Sequence, residues 1–337
     1  MRINMKHDAI ALLKRLSEAN GPSTSEDRII ELILESLGDE FAYHVTPHKN
    51  LIVHSRRPAA GKTIMLQAHM DELGMRPYRY TSDGFIQLTP TGSVPPDATN
   101  HEIIFDPTGV RGILIIQQND RKSDYYADVG AASAEEAREM VPHYANAAYA
   151  GVEVKDSPTH LMGKSFDDRA GCAAITTVLK KWNRLKRNNL VGVFTAREET
   201  GNWPVEELRL TMMKHKLNPD IVINVECCPG GPTPGDPNPI ARVGGGIVLV
   251  SMDASYEPDS MLCRWMEDRA QSSGIPFQHI AVRDGSGELG RIALSFGIAG
   301  YPLTIPCRYM HHPHSVISKS DFMACISMIE EIACNYE

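Results

Sequence analysis

Residues 62–74 read KTIMLQAHMDELG. The first seven residues, KTIMLQA, form a short apolar run of the kind found in a strand buried on both faces of a sheet. The run delivers His69 and Asp71 to its C-terminal end. Polar groups placed there need partners, because burying them unpaired is costly.

The pattern before this stretch is helical and then extended. Residues 6–20 carry Ile10, Leu12, Leu13 and Leu16 at helical spacing, and Gly21-Pro22-Ser23 ends that helix. Ser25 is placed to cap a second helix over 28–37, and strand-like stretches follow at 42–45 and 51–54. After residue 74 the texture changes. Up to about residue 160, short alternating runs (85–88, 103–105, 112–117) are broken by Gly, Pro, Asp and Asn. They predict a small β-rich domain, with one helix at 134–141 capped by Ser133. From residue 165 longer elements alternate. Helices are expected at 171–185, 205–215, 261–272 and 320–335, and strands at 190–195, 221–225, 246–252 and 298–306. The fold class is therefore α/β, a sheet covered by helices on both faces. Residues 1–73 and 161–337 form the α/β domain, and 74–160 is a β-rich insertion.

Composition limits the functions open to such a chain. With 337 residues, 42% apolar and 23% charged, it can bury a full core. A net charge of −8 argues against nucleic acid as a partner, and the one basic cluster, KKWNRLKR at 180–187, reads as the solvated end of a helix. No apolar run approaches the roughly 20 residues of a membrane helix, so no membrane partner is expected. The charged, amphipathic start lacks a signal-peptide core, which predicts a cytoplasmic protein. The seven cysteines are scattered without a C-x-x-C pair and read as reduced, mostly buried thiols, Cys227 and Cys228 included.

Four predicted strands end near metal-capable residues: His69 after 62–68, Glu198-Glu199 after 190–195, Glu226 after 221–225, and His311-His312 after 298–306. Asp167-Asp168 precedes a helix. Each piece alone is weak, since acidic pairs are usually solvated and lone histidines usually structural. Together they matter, because open α/β sheets bind ligands at the carboxyl ends of their strands. Mixed histidine and carboxylate donors suit zinc, cobalt or manganese better than calcium or magnesium.

The segments QAHMDELG (67–74), GKSFDDRAGCAA (163–174), VFTAREETG (193–201), DIVINVE (220–226) and IPCRYMHHPHSV (305–316), in this order, resemble metallopeptidase family 42. These are the tetrahedral (TET), glutamyl aminopeptidase-like and deblocking aminopeptidases. The resemblance implies a metal-dependent exopeptidase-like catalytic domain with a mixed sheet covered by helices. It also implies that 74–160 is a small barrel or PDZ-like dimerisation domain, with YADVGAASAEEAREM (126–140) as its late segment. Two divalent metal ions per chain follow, zinc or cobalt, with manganese a further option. The reaction implied is removal of N-terminal residues from short peptides. The implied assembly is a homo-oligomer, a dimer or six dimers in a hollow tetrahedron.

The resemblance also implies roles. His69 would bind one metal, and Asp71 would orient His69. Asp167 would bridge both metals, and Asp168 would help shape the turn. Glu198 would be the general base acting on a metal-bridging water, and Glu199, Glu226 and His311 would be ligands. These roles agree with the chemistry of paired metals, which activate a shared water and polarise a carbonyl. A carboxylate near the cations but not bound to them suits the base. Three departures stand out. Glu226 occupies a position where the family usually has Asp. His312 follows the expected ligand where a Ser or Thr is usual, which leaves His312 open as the alternative ligand. GSGELG (285–290) replaces a Gly-Thr-Asp-Ala-like segment, so Glu288 takes that Asp's place near the substrate. The altered segments motivate a second reading, a metallohydrolase of another small amide such as an N-acyl amino acid or modified dipeptide. A non-catalytic homologue is a third; against it, Glu198 and every candidate ligand are present. No paired-carboxylate arrangement favours glycoside hydrolysis.

Overall fold

The structure, a computed structural model, describes residues 2–118, 122–182, 187–282 and 287–337. Residues 183–186 of the basic cluster and 285–286 of the GSGELG segment therefore lie outside the described residues. The chain opens with α1 (Arg2–Glu18) and α2 (Asp27–Leu37), then β1 (Phe41–Val45), β2 (Leu51–Ser55) and β3 (Thr63–His69). Ser25 does not cap α2. Glu26 occupies that position without a side-chain cap bond, and its Oε1 instead accepts the Thr24 amide at 2.7 Å.

Next come β4 (Gly74–Tyr80), β5 (Ile86–Thr91), β6 (Glu102–Asp106), β7 (Val110–Gln118), β8 (Ser123–Asp128), α3 (Ala134–Met140) and β9 (Asn146–Tyr149). These strands close into an antiparallel barrel in the order β4-β5-β8-β7-β6-β9, with Met75 of β4 paired to Ala147 of β9. Closure removes the unpaired edges that a small sheet would expose. Alternate strand residues such as Leu88, Ile103, Phe105 and Leu114 fill its core. Ser133 caps α3, accepting from the Glu136 amide. Gly74 sits where the barrel leaves the sheet; a Cβ there would lie 2.8 Å from Pro22 and 2.9 Å from Asn146, so no side chain fits.

The chain then gives β10 (Lys155–Asp156), β11 (His160–Gly163), α4 (Phe166–Trp182), β12 (Asn189–Thr195), α5 (Val205–Lys214), β13 (Ile221–Pro229), β14 (Ile247–Met252), α6 (Ser260–Ser272), β15 (Phe277–Ala281), α7 (Leu289–Phe296), β16 (Ala299–Arg308), β17 (Ser315–Ser318) and α8 (Lys319–Asn335). Because β10 already pairs with β11, the chain rejoins the large sheet by Lys155, a few residues before position 161. The large sheet runs β1-β2-β12-β3-β13-β16-β17-β11-β10, with β14 beside β16 and β15 beside β14. Its centre, β12-β3-β13-β16, is parallel, and the flanking pairs with β2 and β17 are antiparallel. The sheet is thus mixed. Its four central strands are those whose ends carry the candidate ligands.

Side chains alternate across these strands. Ile64, Leu66, Ile221, Ile223, Tyr301 and Leu303 pack on the face covered by α1, α2, α4 and α8. Met65, Val191, Val193 and Val222 pack on the opposite face, under α5 and α7. On that second face the next residues along are Gln67 and His69 of β3, Thr195 of β12, and Asn224 and Glu226 of β13. The α5–α7 cover stops short of the strand ends and leaves them open to form a site.

Candidate metal centre

His69 closes β3 and is 1% exposed. Its Nε2 lies 3.1 Å from Asp167 Oδ1 and 3.4 Å from Glu226 Oε1. On the other side, His311 Nε2 lies 3.1 Å from Asp167 Oδ2 and 3.8 Å from Glu199 Oε2. The donor atoms of His69, Asp167 and Glu226 lie within 4.8 Å of one another, and so do those of Asp167, Glu199 and His311. Two three-donor groups therefore share Asp167, which turns one oxygen to each.

Local structure explains how each residue arrives. Asp167 lies in the first turn of α4, where Asp167 and Asp168 depart from helical φ/ψ. The pair forms a kink ahead of the regular turns, so it stands just before the helix body, as the sequence indicates. Asp168 stays buried, with Oδ1 accepting the Gly171 amide at 2.9 Å. Arg197, at φ 68°, turns the chain after β12 into a short 3-10 turn, Glu198–Thr200. After β16, Tyr309 and His311 take positive φ (54° and 70°). That turn aims His311 at Asp167. His312 goes elsewhere: its Nε2 lies 3.2 Å from Asp97 on the loop between β5 and β6. Of the two histidines left open by the sequence, the structure brings His311 to the cluster.

Asp71 is fully buried and its carboxylate is used mostly on backbone. Oδ1 accepts the Glu198 amide at 2.9 Å. Oδ2 accepts the Glu199 amide at 3.2 Å and the Ser23 hydroxyl. His69 Nδ1 lies 3.1 Å from the Asp71 carbonyl and 3.5 Å from its carboxylate. Asp71 thus holds the Glu198–Glu199 turn as well as facing His69. Trp203 adds a bond from Nε1 to the Glu198 carbonyl at 2.8 Å.

Glu288 differs from expectation. It is 1% exposed and lies beneath the cavity rather than on its wall. Its Oε2 accepts from Gln67 Nε2 at 2.7 Å and from the Thr195 hydroxyl, and Asn224 donates to Gln67 Oε1 at 2.6 Å. Glu288 therefore anchors a polar layer under the strand ends, without a surface for direct substrate contact.

A second buried network was not read from the sequence. Glu72 accepts from Lys164 Nζ at 2.9 Å through both oxygens and from the Gly21 amide at 2.8 Å. Arg169 joins it, donating to the Leu16 carbonyl at 2.9 Å. This network ties the α1–α2 connection to both sides of Asp167. The only signal was placement: Glu72 follows HMD, and Lys164 and Arg169 flank the acidic pair.

The electrostatics fit a cation. Burial pushes Glu198 up to about 9 and Glu226 up to about 7, and raises Glu199 well above the usual carboxylate range. Burial opposes charge on Asp167 too, yet hydrogen bonds from His311 and His69 hold its carboxyl well below that range. Although burial lowers its basicity, His69 is raised well above the imidazole norm, first by the charge of Glu226 and then by bonding to Asp167. Without a cation, then, protons occupy a site whose donors are all suited to divalent metal. The surplus of buried carboxylates needs positive charge, and the donor set suits divalent metal. Cys227 donates to the Phe166 carbonyl at 3.2 Å, and neither Cys227 nor Cys228 enters a donor group among the described residues.

A cavity of about 530 Å³ opens over this centre, lined by His69, Asp167, Glu198, Glu199, Glu226 and His311, with Ser93 contributed from after β5 of the barrel.

The geometry accords with comparisons to known proteins. The family model described as M42 glutamyl aminopeptidase matches residues 49–328. A protein of Acetivibrio thermocellus, provisionally named an aminopeptidase, is 30% identical over 98% of this chain and 99% of its own length. The TET aminopeptidase of a marine sediment archaeon, Thaumarchaeota archaeon SCGC AB-539-E09, superposes with a TM-score of 0.86 at 23% identity, covering 98% of each chain. The Pyrococcus horikoshii TET1 peptidase, which can assemble into a tetrahedron or a large octahedral shell, superposes at 0.80 with 22% identity over 96% of this chain and 99% of its own. At those identities the two structures establish the shared fold.

Proposed function

Because the chain belongs to the M42 glutamyl aminopeptidase family and is a hydrolase acting on peptide bonds, we propose that it is a dinuclear metal-dependent aminopeptidase that trims N-terminal residues from short peptides. One observation carries the dinuclear reading: Asp167 is shared by two three-donor groups, one oxygen per histidine. His69 and Glu226 would hold one ion and Glu199 and His311 the other, with Asp167 common to both donor groups. Zinc or cobalt suits the donors best, with manganese a further option.

When bound, the two ions supply Lewis acidity that polarises the scissile carbonyl and lowers the pKa of the attacking water. Glu198 is the general base. It lines the cavity yet belongs to neither donor group, which leaves its carboxylate free to take the water's proton. From that position it can take the water's proton and pass it to the leaving amine. Asp71 keeps Glu198 and Glu199 in place through their amides and faces Nδ1 of His69, which favours Nε2 as the ligand atom. The acidic lining attracts a free α-ammonium and disfavours a blocked N-terminus.

Residues 1–73 and 161–337 act as the catalytic unit, and the 74–160 insertion serves dimerisation. The assembly is a homo-oligomer, a dimer or a tetrahedral dodecamer like those its structural neighbours suggest. Seven cysteines without a disulfide favour the cytoplasm, and no helix of the described residues is long and apolar enough to cross a membrane.

Elemental analysis of protein purified without added metal, in parallel with a free-amine peptide panel after zinc, cobalt or manganese addition, tests the proposal. About two ions per chain with N-terminal trimming is the expected result. Two ions with cleavage only of N-acyl amides would shift the reading to the alternative metallohydrolase. No metal under any condition would remove the mechanism.

A further inference from the structure

Past the metal centre, the same sheet face turns apolar. Alternation on β13 places Asn224, Glu226 and Cys228 on the face that carries His69. Thr304 of β16 lies opposite Glu226, and Val248 of β14 lies opposite Thr304. Val250, two residues on, is paired with Ile280 of β15. Cys228, Val248, Val250 and Ile280 form an apolar cluster of their own, with Val282 packed against it. Because neighbouring strands lie about 4.8 Å apart, this patch begins one or two strand spacings from Glu226. That is the reach of one amino-acid side chain.

This patch is a wall of the cavity. Val250, Ile280, Val282, Pro302 and Met310 line it together with the metal-centre residues, and Ile240 stands at its mouth. Ile240 is 64% exposed, a large apolar side chain left in solvent at the entrance. No lysine or arginine lines the cavity among the described residues. Among the described lining residues the one carboxylate outside the metal centre, Asp253, has an oxygen already accepting from the Ser255 amide at 2.6 Å, the Ser255 hydroxyl at 2.7 Å and the Tyr256 amide at 2.8 Å.

We propose that this wall is the pocket for the N-terminal side chain, and that the enzyme selects aliphatic residues, leucine and methionine first, over acidic and basic ones. The proposal rests on the aminopeptidase reading and sets this chain apart from the glutamyl preference in its family's description. A glutamate side chain on this wall would lie beside Asp253 and, among the described residues that line it, meet no lysine or arginine, and a buried unpaired charge is strongly disfavoured. A lysine ammonium would lose water for one carboxylate that is already hydrogen-bonded. A leucine or methionine side chain would cover Val250 and Ile280 and displace water from them.

The test is kcat/KM on aminoacyl-coumarinamides of leucine, methionine, glutamate and lysine, with metal-loaded enzyme. Leucine and methionine should exceed glutamate and lysine by at least about 100-fold, within the range that pocket chemistry supplies. Ile280→Lys should lower the leucine-to-glutamate ratio by at least about 10-fold. Val282→Lys, at a half-buried wall position, should move the ratio the same way and serves if the first variant does not fold by circular dichroism. Glutamate or lysine cleaved as well as leucine overturns the aliphatic pocket and leaves the aminopeptidase standing. Cleavage of none of the four, with two metals bound, overturns the aminopeptidase reading and this pocket with it.

Discussion

Replacing Asp71 by asparagine isolates the link between the strand end and the catalytic turn. The carboxylate accepts three hydrogen bonds: the Glu198 amide on Oδ1, and the Glu199 amide and Ser23 hydroxyl on Oδ2. Asparagine keeps one acceptor oxygen. Placed at Oδ2 it serves Ser23 and Glu199 but turns an NH₂ toward the Glu198 amide. The loss is one charge-assisted bond, about 1.5–3 kcal/mol, plus the cost of a buried amide left without an acceptor, about 1–3 kcal/mol. Together these come to roughly 3–5 kcal/mol, which for a domain of this size lowers Tm by on the order of 10 °C. Activity should fall further than stability implies, because Glu198 and Glu199 both hang on those amides and an error of about 1 Å in placement costs on the order of 100-fold. Ser23→Ala is the control. It removes one hydroxyl donor and leaves both amides satisfied, at about 1 kcal/mol. The sign with pH is also fixed. Burial opposes the Asp71 charge, but bonding to His69, Ser23 and the Glu198 amide holds its carboxyl below the ordinary value of 3.8. Its contribution is therefore present above that value and lost as pH falls through the depressed folded value, so wild type and variant should converge in acid. The assay is thermal unfolding at neutral and acid pH, with kcat and bound metal measured on the same samples. An Asp71→Asn enzyme that melts like wild type and keeps wild-type kcat would refute the reasoning.

Glu198→Gln should keep both metals by elemental analysis and lower kcat by about 10²–10⁴-fold, the range of a lost general base; an active variant would falsify the mechanism. Asp167→Asn should strip both ions from the chain, while Glu226→Gln and Glu199→Gln should each weaken one, so stoichiometry after dialysis should order as near zero against near one; equal loss in all three would remove the bridge. In the metal-free protein, burial raises Glu226 to about 7, Glu288 to about 8 and Glu198 to about 9. Their protonated forms support the fold below the ordinary value of 4.5, and that support is lost progressively from 4.5 up to the raised values of about 7 to 9. A chelator-treated sample should therefore lose Tm across that window, and added zinc should restore most of it because cations then neutralise Glu226 and Glu198; a flat chelated profile would count against the buried-charge argument.

Much of the site was legible because buried parallel strands are continuous apolar runs. Residues 62–68, 190–195, 221–225 and 298–306 announce themselves, and they are the four adjacent central strands. What decided details was not in the pattern. His311 and His312 are equivalent by composition, and a positive φ at His311 separates them. Asp167 and Asp168 were placed just before a helix, and their non-helical φ/ψ bear that out, but the kink that turns Asp167 toward both histidines has no periodic signal. Strand β15 has five residues and α7 eight, so neither gave a period long enough to read. Glu288 was expected at the substrate by position in its segment. Its depth depends on α7 packing over β13 and β16 while its carboxyl reaches Gln67 of β3 and Thr195 of β12, contacts between distant segments.

One rule of the pleat then accounts for how the site is graded. On the face under α5 and α7, residues two apart pass from core to polar layer to ligand: Met65, Gln67, His69 on β3, and Val222, Asn224, Glu226 on β13. Each strand changes character at the same height because the parallel register puts Ile221 beside Ile64 and Asn224 beside Gln67. The Gln67–Asn224–Thr195–Glu288 layer is therefore the floor that the helices no longer cover and solvent does not reach. It sets hydrogen-bonded polar side chains between the charged ligands and the apolar core, although Glu288 Oε1 itself has no hydrogen-bond partner. Across the sheet, the change runs sideways instead, from Glu226 through Thr304 to Val250 and Ile280. Height on the strand sets where bond cleavage takes place, and distance across the sheet sets which side chain is admitted. Substitutions at 250 or 280 should accordingly alter selectivity without moving the metals, since no ligand shares a strand with either.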